Sequence, residues 1–471
     1  MKVARNIIPS LGQETRPFAW KDKIGYAFGD LSNCWLLGLV NTFITIYYVT
    51  VLGIDGVWVG SLLFGAKIFD AFVDLFVGKL ADMAKLTPEG RFRPWIRKAK
   101  WFFCAIVIVM FLPFIHTLPM TWRMVFAFIT YVGYDIGYST MIVPYGSMIA
   151  AITSDPVEHT SLSTSRSVGS AISGGLTGFF IPMVVYSTVN GQQVASAMNF
   201  FFVAIVCAGL AFAGYNVTYK LTTERVQVEP KENITFAQML SGIGKNRALL
   251  ILIIADVFIV VNQILAGTAN TFLFTTYFEN KSALAIALLF TYGTVAVLAP
   301  FAKWLTARFG KKETSIAALF FSAALYVVMD LAHFTNPWVY LVFMFVATAG
   351  AGIFNLMVWA FIADTADYHQ IVTGRREDGT IYGLNSFSRK IGQAIAGLIG
   401  GSMLTMIGYI ASTTGGAKQT TQVVNRIYDL ANLLPAVILA SAGIILLFYP
   451  LNRKKSEEMA KEIEKINANE S

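Results

Sequence analysis

Lys67, Asp70 and Asp74 share the run Lys67-Ile68-Phe69-Asp70-Ala71-Phe72-Val73-Asp74, inside an otherwise apolar stretch. Spacings of three and four residues put all three side chains on one helical face. Two carboxylates one turn apart can share a proton or a small cation, and the lysine can neutralise whichever stays ionised. Occupancy of such a pair by H⁺ or Na⁺ removes a buried charge and frees the helix to move, which is the chemistry of ion coupling. A set of ion pairs that merely braces neighbouring helices would use the same residues.

Other ionisable groups lie in comparable surroundings. Asp135, in Tyr134-Asp135-Ile136-Gly137-Tyr138 among small and aromatic residues, and Arg166, in the hydroxyl-rich Ser163-Thr164-Ser165-Arg166-Ser167, are candidates for binding a polar substrate. Arg389 and Lys390 occur in Ser386-Phe387-Ser388-Arg389-Lys390-Ile391-Gly392-Gln393. A charge at a bilayer centre costs about 2.5–3.5 kcal/mol on insertion scales, so each should be paired or should face a wet cavity. Asp30 and Asp256, early in their stretches, are read as interfacial and structural, and Asp330 as a group near the outer mouth. Trp35, Tyr48, Tyr138, Tyr145 and Trp359 are aromatic candidates for stacking on a sugar ring, although packing is the commoner use of such residues. Asp364 and Asp367, followed by Arg375 and Arg376, could form a breakable ion-pair gate with Arg91 or Arg93; a solvated loop is the plainer alternative.

The elements that must position these groups follow from composition. The chain has 471 residues, 55% hydrophobic, 14% aromatic and 14% charged. A soluble domain runs near 25% charged, and single soluble cores stop growing at about 250–300 residues. Disorder is excluded by 37 Phe, 19 Tyr and 9 Trp. A polytopic, all-α membrane protein remains. A spanning helix needs about 20 mainly apolar residues. That ruler predicts twelve spans near 24–51, 57–83, 98–118, 122–152, 163–187, 197–221, 247–276, 283–309, 313–333, 337–364, 380–410 and 428–452. The predicted organisation is a six-helix bundle over 1–221, a cytoplasmic loop over 222–246, a second six-helix bundle over 247–452 and a tail over 453–471. Two pseudo-symmetric bundles of six are the outline of a transporter. A short basic turn containing glycine recurs, as Gly90-Arg91-Phe92-Arg93 after the second span and Arg308-Phe309-Gly310-Lys311-Lys312 after the eighth.

Basic residues set the orientation. Lys and Arg crowd the N-terminal tail, the loop after the second span, the central segment and the C-terminal tail, whereas 52–56 and 188–196 carry none. Both termini are therefore expected in the cytoplasm of a cell-membrane protein. The first 23 residues lack a signal-peptide pattern, and the short Lys/Glu-rich tail argues against a fused regulatory domain. Cys34, Cys104 and Cys207 lie in apolar stretches without CxxC spacing, and four scattered histidines offer no metal constellation. The net charge of +8 is accounted for by topology rather than by nucleic acid.

Five segments together resemble the glycoside–pentoside–hexuronide:cation symporters, the major facilitator superfamily branch that contains the melibiose permease. They are Gly25-Tyr26-Ala27-Phe28-Gly29-Asp30, Phe69-Asp70-Ala71-Phe72-Val73-Asp74, Gly90-Arg91-Phe92-Arg93-Pro94-Trp95, Val143-Pro144-Tyr145-Gly146, and Ala363-Asp364-Thr365-Ala366-Asp367-Tyr368 with Thr373 to Gly379. The resemblance implies twelve helices, alternating access, and sugar uptake driven by H⁺, Na⁺ or Li⁺, with no other cofactor. It places Asp70 and Asp74 at the cation site, and Arg166 and Lys390 near the sugar and cation pockets. Three positions depart from the family pattern: Cys34 and Ile142 replace acids, and Val73 replaces an amide. Losing oxygen ligands favours H⁺ over Na⁺. Losing acids while keeping Arg166 and Lys390 would make the pocket positive and suit a hexuronide carboxylate; a neutral glycoside or pentoside stays open. A lipid transporter on the same fold and a non-transporting sugar sensor are the competing readings, and no nucleophile–base set or nucleotide loop supports an enzyme.

Overall fold

The apolar runs become helices because a backbone in lipid must satisfy its own hydrogen bonds. The computed structural model describes residues 16–82, 87–153, 156–189, 192–225, 246–373, 378–411, 418–455 and 458–459. Its helices are α1 (Trp20–Ile46), α2 (Gly56–Asp82), α3 (Arg93–Met110), α4 (Met120–Ile152), α5 (Pro156–Val185) and α6 (Ala197–Leu221), then α7 (Arg247–Phe272), α8 (Lys281–Phe309), α9 (Lys311–Ala332), α10 (Pro337–Ala347), α11 (Ala349–Thr373), α12 (Asp378–Met406) and α13 (Thr421–Leu447). Among the described residues, nine helices are long and apolar enough to cross a membrane.

Contacts divide the chain into two compact units, Met1–Lys231 with Ile410–Lys418, and Glu232–Tyr409 with Gln419–Ser471. Inside the first, α1 packs on α5 and α6, α3 on α4 and α6, and α2 on α4. Inside the second, α7 packs on α12 and α13, α9 on α11 and α13, and α8 on α11. Each half thus repeats one pairing scheme, with α10 and α11 together standing for a single rod. The repeat reaches local detail. α1 and α7 both end in a wide π turn, Tyr47–Val51 and Leu273–Tyr277, closed by Leu52 N–H on the Tyr47 carbonyl in one and Phe278 N–H on the Leu273 carbonyl in the other, each at 3.0 Å. Gly90 and Gly310, the glycines of the two basic turns, both hold positive φ, 108° and 91°, which glycine adopts without a Cβ penalty.

Several boundaries differ from the sequence reading, among them the third helix, which covers Arg93–Met110, and the last, which starts at Thr421 rather than 428. The tenth span, expected unbroken over 337–364, divides at Thr348, where the Gly350 N–H donates to the Ser322 hydroxyl at 2.9 Å. The fifth helix starts at Pro156 rather than 163, a proline at the first helical position being well tolerated. The supposed loop 188–196 is largely an antiparallel hairpin, β1 (Tyr186–Val189) against β2 (Gln192–Ala195). The sequence between the strands is Asn190-Gly191, the usual two-residue hairpin signal.

One end of the first half is closed by hydrogen bonds rather than by apolar packing. The Glu224 carboxylate accepts from the backbone N–H groups of Arg91, Phe92 and Arg93 at 2.7, 2.9 and 2.7 Å. Burial pushes this carboxyl above its usual range, and the three backbone donors pull it back. A Cβ on Gly90 would lie 2.5 Å from that carboxyl carbon, so no other residue fits. Next to it Arg225, fully buried, donates to Asp22 at 2.9 Å and to the carbonyls of Arg16, Pro17 and Ile152. Arg16 donates to the other Asp22 oxygen at 2.8 Å.

Candidate functional site

In the first half the chemistry gathers on α2 and α4. Three residues separate Lys67 from Asp70 and four separate Asp135 from Ser139, so each pair rises on one face of its helix. Packing of α2 on α4 brings the faces together. Lys67 Nζ lies 2.5 Å from Asp135 Oδ1 and 3.8 Å from Asp70 Oδ2. The Ser139 hydroxyl donates to the other Asp70 oxygen, Oδ1, at 2.6 Å. The ammonium also lies 5.6 and 5.9 Å from the ring centres of Tyr131 and Tyr134, within reach of a cation–π attraction. Asp70 and Asp135 are 1% and 0% exposed, and Asp74, one turn on from Asp70, is half-buried. Asp74 adds a further carboxyl group on the same face of α2.

A second arrangement joins α1 and α5. A Cβ on Gly169 would sit 2.2 Å from the Ala27 carbonyl oxygen, so glycine is what lets these two helices touch. At that approach Arg166 Nε donates to Asp30 Oδ1 at 3.0 Å. The guanidinium lies over the Tyr145 ring at 5.4 Å. Tyr145 in turn stacks on Tyr26, with ring centres 4.6 Å apart, and the two exchange hydroxyl-to-carbonyl hydrogen bonds. The Arg166 side chain keeps 37% of its surface accessible. Four residues along α1 from Asp30, Cys34 Sγ meets the Ser170 hydroxyl at 3.1 Å.

The second half carries the counterpart. Arg389 Nη1 of α12 donates to both oxygens of Asp256 on α7, at 2.8 and 3.0 Å. Lys390, the neighbouring residue singled out by sequence, is half-buried. Lys311 donates to both oxygens of Asp364 at 2.7 Å.

The structure brings Lys67 and Asp70 together with Asp135, which the sequence counts among the substrate-binding candidates rather than with the coupling set. Asp30, read from the sequence as interfacial and structural, holds Arg166. Tyr145 is 1% exposed and supports Arg166 from beneath. The Tyr48 ring is fully buried with its hydroxyl on the Ala127 carbonyl, whereas Tyr138 is half-buried beside Phe103 and Tyr134. Of the gate candidates, Arg93 donates to the carbonyls of Tyr219 and Glu89, Arg91 offers its backbone N–H to Glu224, and Asp364 takes Lys311. Asp367 is half-buried on α11. Arg375 and the Trp359 side chain lie outside the described residues. Sequence reasoning missed Ser139, Tyr131 and Tyr134; Ser139 and Tyr131 stand four residues to either side of Asp135, which was the available signal, while Tyr134 directly precedes it and gave none.

The profile of a family described as MFS/sugar transport protein matches residues 25–453. The chain is 29% identical to the glucuronide carrier protein homolog of Escherichia coli (strain K12), covering 95% of this chain and 96% of that protein. It is 28% identical to the isoprimeverose transporter of Lactiplantibacillus pentosus, over 96% of this chain and 93% of that one. A crystal structure of the nucleoside transporter NupG superposes with a TM-score of 0.60 at 14% identity, covering 91% and 99% of the two chains.

Proposed function

The chain belongs to the MFS/sugar transport protein family, a multi-pass membrane transporter and not an enzyme, and from that premise we propose that it carries a sugar or glycoside together with a proton. The observation that carries the coupling is the buried α2–α4 cluster. Carboxyl groups one turn apart on α2, one of them buried beside the Lys67 ammonium, can take up and release a proton as their partners change, and we assign that role to Asp70 and Asp74. Protonation removes a buried charge, so the helices bearing it can change partners at lower cost.

The substrate contacts centre on Arg166 and Asp30. A sugar hydroxyl both donates and accepts, and a carboxylate beside a guanidinium offers both complements, held in place by Tyr145. This balanced pair suits the hydroxyls of a neutral glycoside or pentoside. The similarity to a glucuronide carrier homolog supports a second reading, in which the accessible guanidinium edge takes a hexuronide carboxylate as a two-pronged donor. Lys390 and Cys34 complete the candidate set. The basic tails and loops favour a cell-membrane location with both termini in the cytoplasm.

Uptake into membrane vesicles tests the coupling. An imposed inward proton gradient should drive accumulation without sodium, and Asp70→Asn should abolish accumulation while leaving downhill exchange. Undiminished accumulation by Asp70→Asn, or strict sodium dependence at constant pH, overturns the reading. Competition among labelled glucuronide, xyloside and galactoside separates the substrate classes.

A further inference from the structure

We infer that the Lys67 ammonium is this chain's permanently bound cation: it occupies the place where a sodium or lithium ion would be held, and so makes Lys67 the residue that restricts coupling to protons. The inference rests on the proposed role of Asp70 and Asp74 in coupling.

The argument is one of position and charge. Asp70 and Asp135, from two different helices, bring carboxylate oxygens to a single buried point, and Ser139 holds the other Asp70 oxygen. Carboxylate and hydroxyl oxygens are the donors that hard monovalent and divalent cations prefer. Lys67 Nζ stands at that point, 2.5 Å from Asp135 and 3.8 Å from Asp70, with Ser139 turning Asp70 by a 2.6 Å hydrogen bond. Tyr131 and Tyr134 present their ring faces to the same charge. An ammonium is a compact point charge of +1, equivalent in net charge to an alkali ion, but it is tied to α2 by four carbons. It cannot be released to either side of a membrane. An alkali ion could take its place only by driving a positive side chain out of a buried acidic nest, which would strand a charge. A proton has no such competitor, because it needs one carboxylate oxygen and no coordination shell.

Deleting the charge should therefore uncover an alkali-ion site. The purified full-length chain, as wild type and as Lys67→Met, is melted in sodium, lithium or choline chloride at equal ionic strength and at several pH values. Wild type should melt alike in all three salts. Lys67→Met should melt lower in choline and rise by several degrees with millimolar sodium or lithium, the gain growing with the logarithm of concentration as mass action requires. Lys67→Arg, which keeps the charge, should stay indifferent to sodium. Should Lys67→Met not withstand extraction, Lys67→Gln in native vesicles is read by trapping of radioactive sodium, which should exceed that of wild type.

Three results overturn the inference: a sodium-specific shift in wild type equal to that of the variant, a folded Lys67→Met that ignores sodium, or rescue of the variant by acid alone. A wild type that fails to accumulate sugar under a proton gradient would instead remove the coupling reading. The sodium melts would still report on Lys67 by themselves.

Discussion

Asp30 stands 17 residues ahead of the π turn that begins at Tyr47, and Asp256 stands 17 ahead of the one that begins at Leu273. Each is met by an arginine from the equivalent partner helix, Arg166 on α5 and Arg389 on α12. The two halves thus keep the same carboxylate–guanidinium pair at the same height of the same helix. They part company at the next helix. α2 bears Lys67, Asp70 and Asp74, whereas the sequence of α8 contains no Asp or Glu at all. The repeated ion pair marks the shared frame, on which the more accessible Arg166 is open to a further use; the unrepeated acidic cluster marks what the first half alone carries. The proposed coupling role falls on the half that carries the unrepeated acids.

The strongest way to break that contrast is to neutralise one acid in each half. Asp70→Asn should lower the steady-state accumulation ratio by tenfold or more, while Asp256→Asn, if it survives extraction, should accumulate substrate within about twofold of wild type. Exchanged outcomes would move coupling to the second half. Next in size is stability. Removing Arg389 alone leaves Asp256 buried without its partner, at a cost of about 3–5 kcal/mol, whereas Asp256→Asn with Arg389→Gln should recover most of it. A double-mutant cycle by thermal unfolding measures the difference. The same cycle on Asp30 and Arg166 should give a smaller coupling energy, because Arg166 is the more accessible of the two arginines.

A subtler distinction concerns the fork of the guanidinium. Arg166→Lys keeps the charge but loses the planar pair of donors, so the concentration for half-maximal uptake should rise about tenfold with little change in proton dependence. At Arg389 the same exchange should leave that concentration unaltered and lower the melting temperature only. The smallest effect is expected at the polar clasp: Glu224→Gln gives up a charged acceptor for three N–H groups, about 1–3 kcal/mol of local stability, with the accumulation ratio intact. Loss of accumulation in that variant would tie the clasp to coupling.

The helices and the acid–base residues of α2 were legible in the sequence because both signals are local: apolar runs of spanning length, and spacings of three and four. Partner choice was not. Lys67 and Asp135 are 68 residues apart, and Asp30 and Arg166 are 136 apart, separations over which spacing carries no information. The sequence likewise left the partner of Asp30 open, since its place along one helix says nothing of which neighbour touches it. The choice of Lys390 over Arg389 came from family resemblance, and only the α7–α12 contact distinguishes adjacent residues on one helix. The hairpin after α5 escaped because its strands are four residues long and sit between two long apolar runs. The division at Thr348 escaped because a serine hydroxyl on α9 competes for a backbone N–H, which no hydropathy count registers.

The clasp around Glu224 and Arg225 also has a use at the bench. Anyone dividing this chain into two co-expressed fragments, or inserting a fluorescent domain near its middle, would place the junction by hydropathy directly after Leu221. That cut would take away the carboxylate that three N–H groups share and the arginine that ties Asp22 to the carbonyls around it. A junction after Arg225 keeps every one of those bonds within the first fragment. Four residues decide whether the fragment leaves the ribosome with its end sealed or open.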